Sequence, residues 1–291
     1  MRSANSERYA QFIAKAVNLQ GIRCGVTTIP ELEAYLEHEG CRPDTTLIHN
    51  RTAIYHRTRA KEDVFDTLRR VEQAGYEVIN SADTVLLSSD KHLSIQQAVK
   101  HNIPAPQTVS ADKHSLVQQI ASMFAKHERL VLKPRFSQGD GRYCYLLASR
   151  PDSSMLDALH ALPFDQFIIQ EYVPYKALYR VIVINGQALA AAVFFDTPSS
   201  SWKCSVCMNP AIQHCEAPPP ALLTLTETFA RIIKAKITFV DWFATDSGWV
   251  FNEVNTACNL AIHERISRHD ISTDIGNCLA SCLRSKHDKL N

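Results

Sequence analysis

The chain has 291 residues, 45% hydrophobic and 21% charged, proportions that exclude a disordered chain and predict two domains or three small ones. Thirty-one Lys and Arg against 30 Asp and Glu leave a net charge of +1, so no global field recruits nucleic acid or an anionic membrane. No apolar run approaches the ~18 residues of a membrane span, and no secretory signal follows Met1. The nine cysteines therefore read as thiols or ligands rather than disulfides, and a cytoplasmic location is expected.

In chain order the pattern alternates. A helical period covers Ser6 to Leu19, and Ile22 to Thr27 reads as a strand. Pro30 to Glu39 reads as a helix, Thr45 to His49 as a strand, Glu62 to Ala74 as a helix stopped by Gly75, and Tyr76 to Asn80 as a strand. This order predicts parallel strands with helical crossovers. Such a domain normally opens on a strand, and none precedes the first helix. Asp90 to Asn102 reads as a helix, ended by Ile103-Pro104-Ala105-Pro106. Strands are expected at Gln107 to Ser110 and Leu130 to Lys133, with a helix from His114 to His127 between them. A polar turn, Pro134 to Arg142, leads back into a strand at Tyr143 to Leu147. The remainder is strand-rich: Phe167 to Tyr172, Tyr179 to Ile184, Ala188 to Phe195, Ile237 to Ala244 and Trp249 to Val254. Helices are expected at Ala221 to Ala235 and Ser272 to Leu283. The fold class is α/β (α+β).

Thr245-Asp246-Ser247-Gly248-Trp249 is a hairpin signal, read as a three-residue loop ending in glycine. Pairing Thr245 with Trp249 sets Asp241 opposite Glu253 and Phe239 opposite Asn255. Period two then puts Asp241, Glu253 and Asn255 on one face. Facing carboxylates repel, and a divalent cation such as Mg²⁺, which takes one or two carboxylates plus substrate phosphates, offsets that. The alternative is a solvated acidic strand pair. Asn252 breaks the otherwise apolar pattern of the opposite face, and a slip of one residue changes the assignment. Lys133 ends an apolar strand just before the glycine-bearing turn, where a lysine and backbone N–H groups reach phosphate oxygens together. Lys91 stands at the start of its helix, and Glu171 ends the strand Phe167-Ile168-Ile169-Gln170.

Taken in order, six stretches resemble the ATP-grasp superfamily, in its RimK-like and glutathione-synthetase-like branch. They are Val78-Ile79-Asn80-Ser81 through Asp90-Lys91, Ile103-Pro104-Ala105-Pro106-Gln107-Thr108, Val131-Leu132-Lys133-Pro134-Arg135, Ile169-Gln170-Glu171-Tyr172-Val173, Tyr179-Arg180-Val181-Ile182-Val183 and Phe251-Asn252-Glu253-Val254-Asn255. The resemblance implies an ATP-grasp fold in three parts. These are a Rossmann-like N-terminal domain over 1–89, a central lid domain over 90–166, and a mainly antiparallel catalytic domain over 167–291.

The resemblance also implies roles. Lys91 and Lys133 would contact ATP phosphates, Lys133 also lying near the adenine. Gln170, Glu171, Tyr172 and Val173 would form the adenine hinge. Ser137, Gly139 and Gly141 would belong to a flap, Ser137 to Arg142, that closes over the nucleotide. Asp241, Glu253 and Asn255 would hold one or two Mg²⁺ ions, with Mn²⁺ as a substitute, and Arg180 would be catalytic. Arg51 and Asn259 are the substrate-side candidates.

The implied activity is an ADP-forming carboxylate–amine ligase working through an acyl-phosphate. Its partners would be amino acids, or carboxylates and amines on peptides or proteins. A homo-oligomer is compatible with this, and a membrane or nucleic-acid partner is not expected. Two alternatives stand beside it: a ligase that modifies a precursor peptide, and a nucleotide- or partner-binding protein that ligates nothing. The sequence departs from the family at several points. Leu178 stands where an aspartate for ribose is usual, and Glu171 to Arg180 is about two residues short. Val193, Phe194 and Phe195 stand where an arginine is frequent, and Ala257-Cys258-Asn259 replaces a Pro-Gly.

Two further clusters stand out in the sequence. Cys204, Cys207, His214 and Cys215 have the residue types of a zinc site, but the gap before His214 is unusual, and no required metal is expected there. The basic stretch His49 to Arg59 reads as a solvated or substrate-facing loop.

Overall fold

A computed structural model describes residues 4–38, 41–50, 60–136, 143–189, 192–196, 202 and 211–288. The chain begins with α1 (Ala4–Asn18), whose buried Tyr9, Ile13 and Val17 form a stripe at helical spacing. The expected strand at Ile22 to Thr27 is not formed; residues 22–28 run without regular structure. The reason is local. The Asn18 side chain accepts from the Cys24 N–H at 2.8 Å and donates to the Cys24 carbonyl at 3.2 Å, so one amide takes the groups a strand ladder would use.

Next come α2 (Ile29–His38), β1 (Leu47–His49), α3 (Ala60–Gln73), β2 (Glu77–Ile79) and α4 (Ala82–Ser89). β1 and β2 are parallel, with α3 as their crossover. Leu32, Leu36, Leu68, Val71 and Val78 make this unit's core. The helix α4 was not anticipated; Ser81 caps it by accepting from the Thr84 N–H at 3.2 Å.

The central unit contains α5 (Lys91–Lys100), β3 (Thr108–Asp112), α6 (Leu116–Phe124), β4 (Leu130–Pro134), β5 (Tyr145–Leu147), α7 (Ser153–His160) and β6 (Gln166–Glu171). Its sheet is antiparallel in the order β3-β6-β4-β5. Leu116, Ile120, Leu132, Leu159 and Phe167 pack α6 and α7 on one face. β5 starts two residues later than expected, because Tyr143 is left-handed at φ +57°. The boundary expected between 166 and 167 is corrected: β6 crosses it and belongs to the central sheet, where its hydrogen bonds go to β3 and β4.

The last unit contains β7 (Ala177–Ile184), β8 (Gln187–Ala188), β9 (Val193–Asp196), β10 (Gln213–His214), α8 (Pro220–Ile232), β11 (Ile237–Thr245), β12 (Gly248–Asn255), α9 (Leu260–Ser267) and α10 (Ile271–Asp288). The strand expected over Ala188 to Phe195 is divided between β8 and β9. The sheet runs β10-β9-β7-β11-β12, with β8 on β7, and all its pairs are antiparallel. One face packs α5 and α8 through Ile95, Ala98, Leu222, Phe229, Trp242 and Phe251. The other packs α1, α9 and α10 through Ile13, Val17, Phe239, Leu260 and Ile275.

The hairpin β11–β12 corrects one expectation. Its loop has two residues, since Thr245 pairs with Gly248 and Ala244 with Trp249. This register holds down to Trp242 opposite Phe251. It then shifts by one at a bulge, so that Asp241 faces Glu253 and Phe239 faces Asn255. The loop is one residue shorter than expected, yet the expected pairing of Asp241 with Glu253 is present, because Asn252 is the inserted residue.

Candidate active site

The centre of the large sheet carries a row of charges across three neighbouring strands: Arg180 on β7, Asp241 on β11 and Glu253 on β12. Antiparallel register makes them direct neighbours. The guanidinium grips Asp241 with two bonds, Nε to Oδ1 and Nη2 to Oδ2, both 2.6 Å. Its Nη2 lies 3.9 Å from Glu253 Oε1, and its Nη1 contacts Cys258 Sγ at 3.6 Å. Arg180 and Asp241 are 7% and 2% exposed, so this is a buried bidentate pair. Asn255 follows on the same strand and donates from Nδ2 to Glu253 Oε1 at 3.4 Å.

Burial sets the protonation here. It pushes Asp241 up to about 6, with Arg180 pulling the other way. Burial alone would lower Arg180, but the Asp241 charge beside it raises the guanidinium well above its ordinary value. Glu253 goes opposite to Asp241. Burial would raise it, but Lys91, Arg180 and Lys133 together hold its carboxyl below the ordinary range.

The two lysines come from the central unit. Lys133 lies near the end of β4, and its Nζ donates to Asn252 Oδ1 at 3.3 Å. Burial lowers its ammonium below the ordinary lysine value, with Glu253 and Asp241 opposing. Lys91 opens α5 because Asp90 caps that helix, accepting from the His92 and Leu93 N–H groups at 3.0 and 3.3 Å. Buried Asp90 also receives Arg135, Nε at 3.0 and 2.9 Å and Nη2 at 2.7 Å. The Lys91 N–H donates to the Arg135 carbonyl at 3.1 Å, and Asp90 bridges to Phe136. One aspartate thus starts the helix bearing Lys91 and ties it to the chain just beyond Lys133.

The residues expected to form the hinge are engaged with their surroundings. Buried Gln170 donates to Thr108 Oγ1 at 3.0 Å. The Glu171 carboxylate accepts from the Gln107 N–H at 2.8 Å and lies 3.3 Å from His127 Nδ1. The Tyr172 N–H donates to the Arg129 carbonyl at 3.0 Å, and the Arg129 guanidinium lies 4.2 Å from the Tyr172 ring centroid. Val173 follows in irregular chain leading to β7.

Asn259 caps α9, accepting from the Ala261 N–H at 3.1 Å. Its side chain is used at the helix start and is not brought onto the charged row. Arg51, Ser137, Gly139, Gly141, Cys204 and Cys207 lie outside the described residues. His214 sits on β10, and buried Cys215 donates its N–H to the Ala192 carbonyl at 2.9 Å. Among the described residues no three His, Cys, Asp or Glu side chains gather as a metal cluster. The charged row offers two carboxylates and an amide instead. No helix among the described residues is long and apolar enough to cross a membrane.

Sequence reasoning had no role for Asp90, Arg135 or His263. For Asn252 the signal was present as the polar residue that broke an apolar alternation.

Two antiparallel sheets, one bringing a lysine toward carboxylates on the other beside a second lysine at a helix start, mark an ATP-grasp protein. The chain matches the RimK-like ATP-grasp domain over residues 88–279 and belongs to that family. It is similar to Glutamate–LysW ligase ArgX of Sulfolobus acidocaldarius, 23% identical over 193 residues, or 64% of this chain and 66% of that protein. It is also similar to a probable alpha-L-glutamate ligase of Xanthomonas campestris pv. campestris, 25% identical over 221 residues, or 75% and 74%. The chain thus spans between about two thirds and three quarters of these relatives' length. The fold is that of ATP-grasp ligase PsnB, solved with a minimal precursor: TM-score 0.68 at 18% identity, covering 94% of this chain and 95% of that one.

Proposed function

We propose that the chain is an ATP- and Mg²⁺-dependent ligase joining a carboxylate to an amine, with an amino acid or a peptide supplying one or both groups. The observation that carries this is the row Arg180–Asp241–Glu253 with Lys133 brought to it from β4 of the other sheet and Lys91 from the start of α5. Three cationic groups around two carboxylates suit a polyphosphate that arrives with its metal.

The donor set fits Mg²⁺. Asp241 and Glu253 face one another, Glu253 is held ionised by its neighbours, and Asn255 spends its Nδ2 on Glu253, leaving an amide oxygen. These three would hold the ion, which when bound neutralises phosphate charge. The chain's own residues do the rest by position and charge. Lys91 and Lys133 bind the phosphates, and Arg180 stabilises the phosphoryl in transfer. The segment Gln170 to Val173 receives the adenine through its backbone, since the Glu171 carboxylate is already bonded.

A substrate carboxylate oxygen attacks the γ-phosphorus, and ADP leaves. The amine then attacks the acyl carbon, and inorganic phosphate leaves with formation of the amide. The three parts serve as substrate-side, lid and catalytic units, with β6 counted in the lid unit whose sheet it joins. The relatives named as glutamate ligases make glutamate the first substrate to test, as acid and as amine.

The test is ADP release with Mg²⁺ over a panel of acids and amines, alongside calorimetric binding of MgATP. Release that requires both an acid and an amine is expected. Failure to bind MgATP overturns the reading, and binding without release across the panel points to the nucleotide-binding alternative.

A further inference from the structure

We infer that Asn252 is a positioning residue for Lys133: it holds the ammonium with a neutral acceptor, so that its full charge faces the nucleotide. This rests on the ligase reading above, because it takes Lys133 as a phosphate ligand. Asn252 is 9% exposed, on a strand where regular alternation would give it no reason to be polar. It is the residue that the bulge inserts. A bulge turns one side chain out of the regular pattern, and this side chain meets Lys133 Nζ at 3.3 Å.

The amide is suited to this work by its chemistry. Lys133 is partly buried, and its Nζ is bonded to Asn252 beside the strand position of Glu253. An ammonium there needs an acceptor, since an unpaired buried charge is costly. A carboxylate in place of Asn252 would neutralise the charge before a phosphate arrives. An apolar side chain would leave Glu253 as the competing acceptor. An amide oxygen accepts a hydrogen bond and carries no charge, so it fixes direction without consuming attraction. Asn255 supplies its amide to Glu253 on the same strand, and the two amides keep separate partners.

The experiment measures the dissociation constant of MgATP, by calorimetry, for the intact protein and for Asn252→Leu, Asn252→Asp, Lys133→Met and the double variant Asn252→Leu/Lys133→Met. Asn252→Leu is expected to weaken binding by about tenfold. Asn252→Asp keeps the shape and the acceptor; it is expected to weaken binding at least as much, because it neutralises Lys133 and adds charge against phosphate. Adding Asn252→Leu to Lys133→Met is expected to change little, giving a coupling of about tenfold between the two sites.

Additive effects, or wild-type affinity in Asn252→Asp, would overturn the inference and leave the ligase reading intact. If Asn252→Leu does not fold, the isosteric Asn252→Asp decides alone. No MgATP binding by the intact protein would overturn the ligase reading, and this inference with it. In turnover, a rise in KM for ATP with KM for acid and amine unchanged is expected, a split that a general loss of structure does not give.

Discussion

Arg180 and Asp241 show how one residue serves two ends. Their bidentate pair is buried, and removing one partner leaves an uncompensated charge, at a cost of about 3–5 kcal/mol. Glu253 has several cations near it and is not gripped in the same way. Asp241→Asn and Glu253→Gln are therefore expected to separate. Both should lower turnover at least ~100-fold, but only Asp241→Asn should lower Tm by many degrees; equal melting of the two would contradict the assignment of Arg180 to Asp241. His263 supplies a pH dependence. It is 1% exposed, its ring lies 5.6 Å from Phe239, and its Nδ1 finds no partner among the described residues. Burial, reinforced by Arg180, lowers it to about 3. The unfolded chain takes up a proton below about 6.5 that the folded chain refuses, so stability falls as pH drops. Between pH 6.5 and 4.5 this site alone accounts for about 2–3 kcal/mol. Urea midpoints of His263→Leu should fall less steeply over that range than those of the intact protein; an unchanged slope would assign the dependence elsewhere.

Secondary-structure elements were legible where their pattern is local. The facing of Asp241 and Glu253 followed from strand period and a glycine-bearing turn, and it survives a wrong loop length because Asn252 absorbs the difference. The strand at Ile22 to Thr27 failed because a single side chain, Asn18, took over its hydrogen bonds. Helix α4 was missed because its sequence, ADTVLLSS, buries Ala82, Thr84, Val85 and Ser88 and shows no polar face to set a period. Helices α7 and α9 have eight residues each, too short for a clear repeat. The join between elements was not legible at all. Asn80 is 1% exposed; it donates to the Ile237 carbonyl at 2.7 Å and accepts from the Lys236 and Ile237 N–H groups at 2.8 and 3.2 Å. One side chain thereby fastens the end of β2 to the start of β11, four residues before Asp241 of the charged row. Asn80→Ala removes three bonds and strands buried backbone groups, so a loss of about 3 kcal/mol is expected from denaturant unfolding. A loss under about 0.5 kcal/mol, the level of an ordinary surface substitution, would show that the join is carried by packing.

At the scale of the molecule, α1 belongs by sequence to the first unit but packs its stripe on α10 at the other end of the chain. The two helices meet closely at Gly276, where an added Cβ would stand 2.6 Å from Ala16 Cβ and 3.3 Å from the Ile13 carbonyl oxygen. Gly276→Val must push backbone apart, and a loss of about 1–3 kcal/mol is expected, read as a lower Tm. Ala16→Gly in the same chain should return part of it; no return would place the strain elsewhere. Nothing in the local pattern announces this contact, since Gln20 bonds Asn277 across 257 positions and such a pairing has no periodic trace. It also dictates an order of events during synthesis. A ribosome adding about 5–20 residues per second delivers α1 roughly 10–50 seconds before the helix that covers it. Through that interval Tyr9, Ile13 and Val17 lack Ile275 and Leu279, which α10 supplies to their cluster. Apolar surface left open in this way is expected to attract chaperones and neighbouring chains until α10 emerges and covers α1.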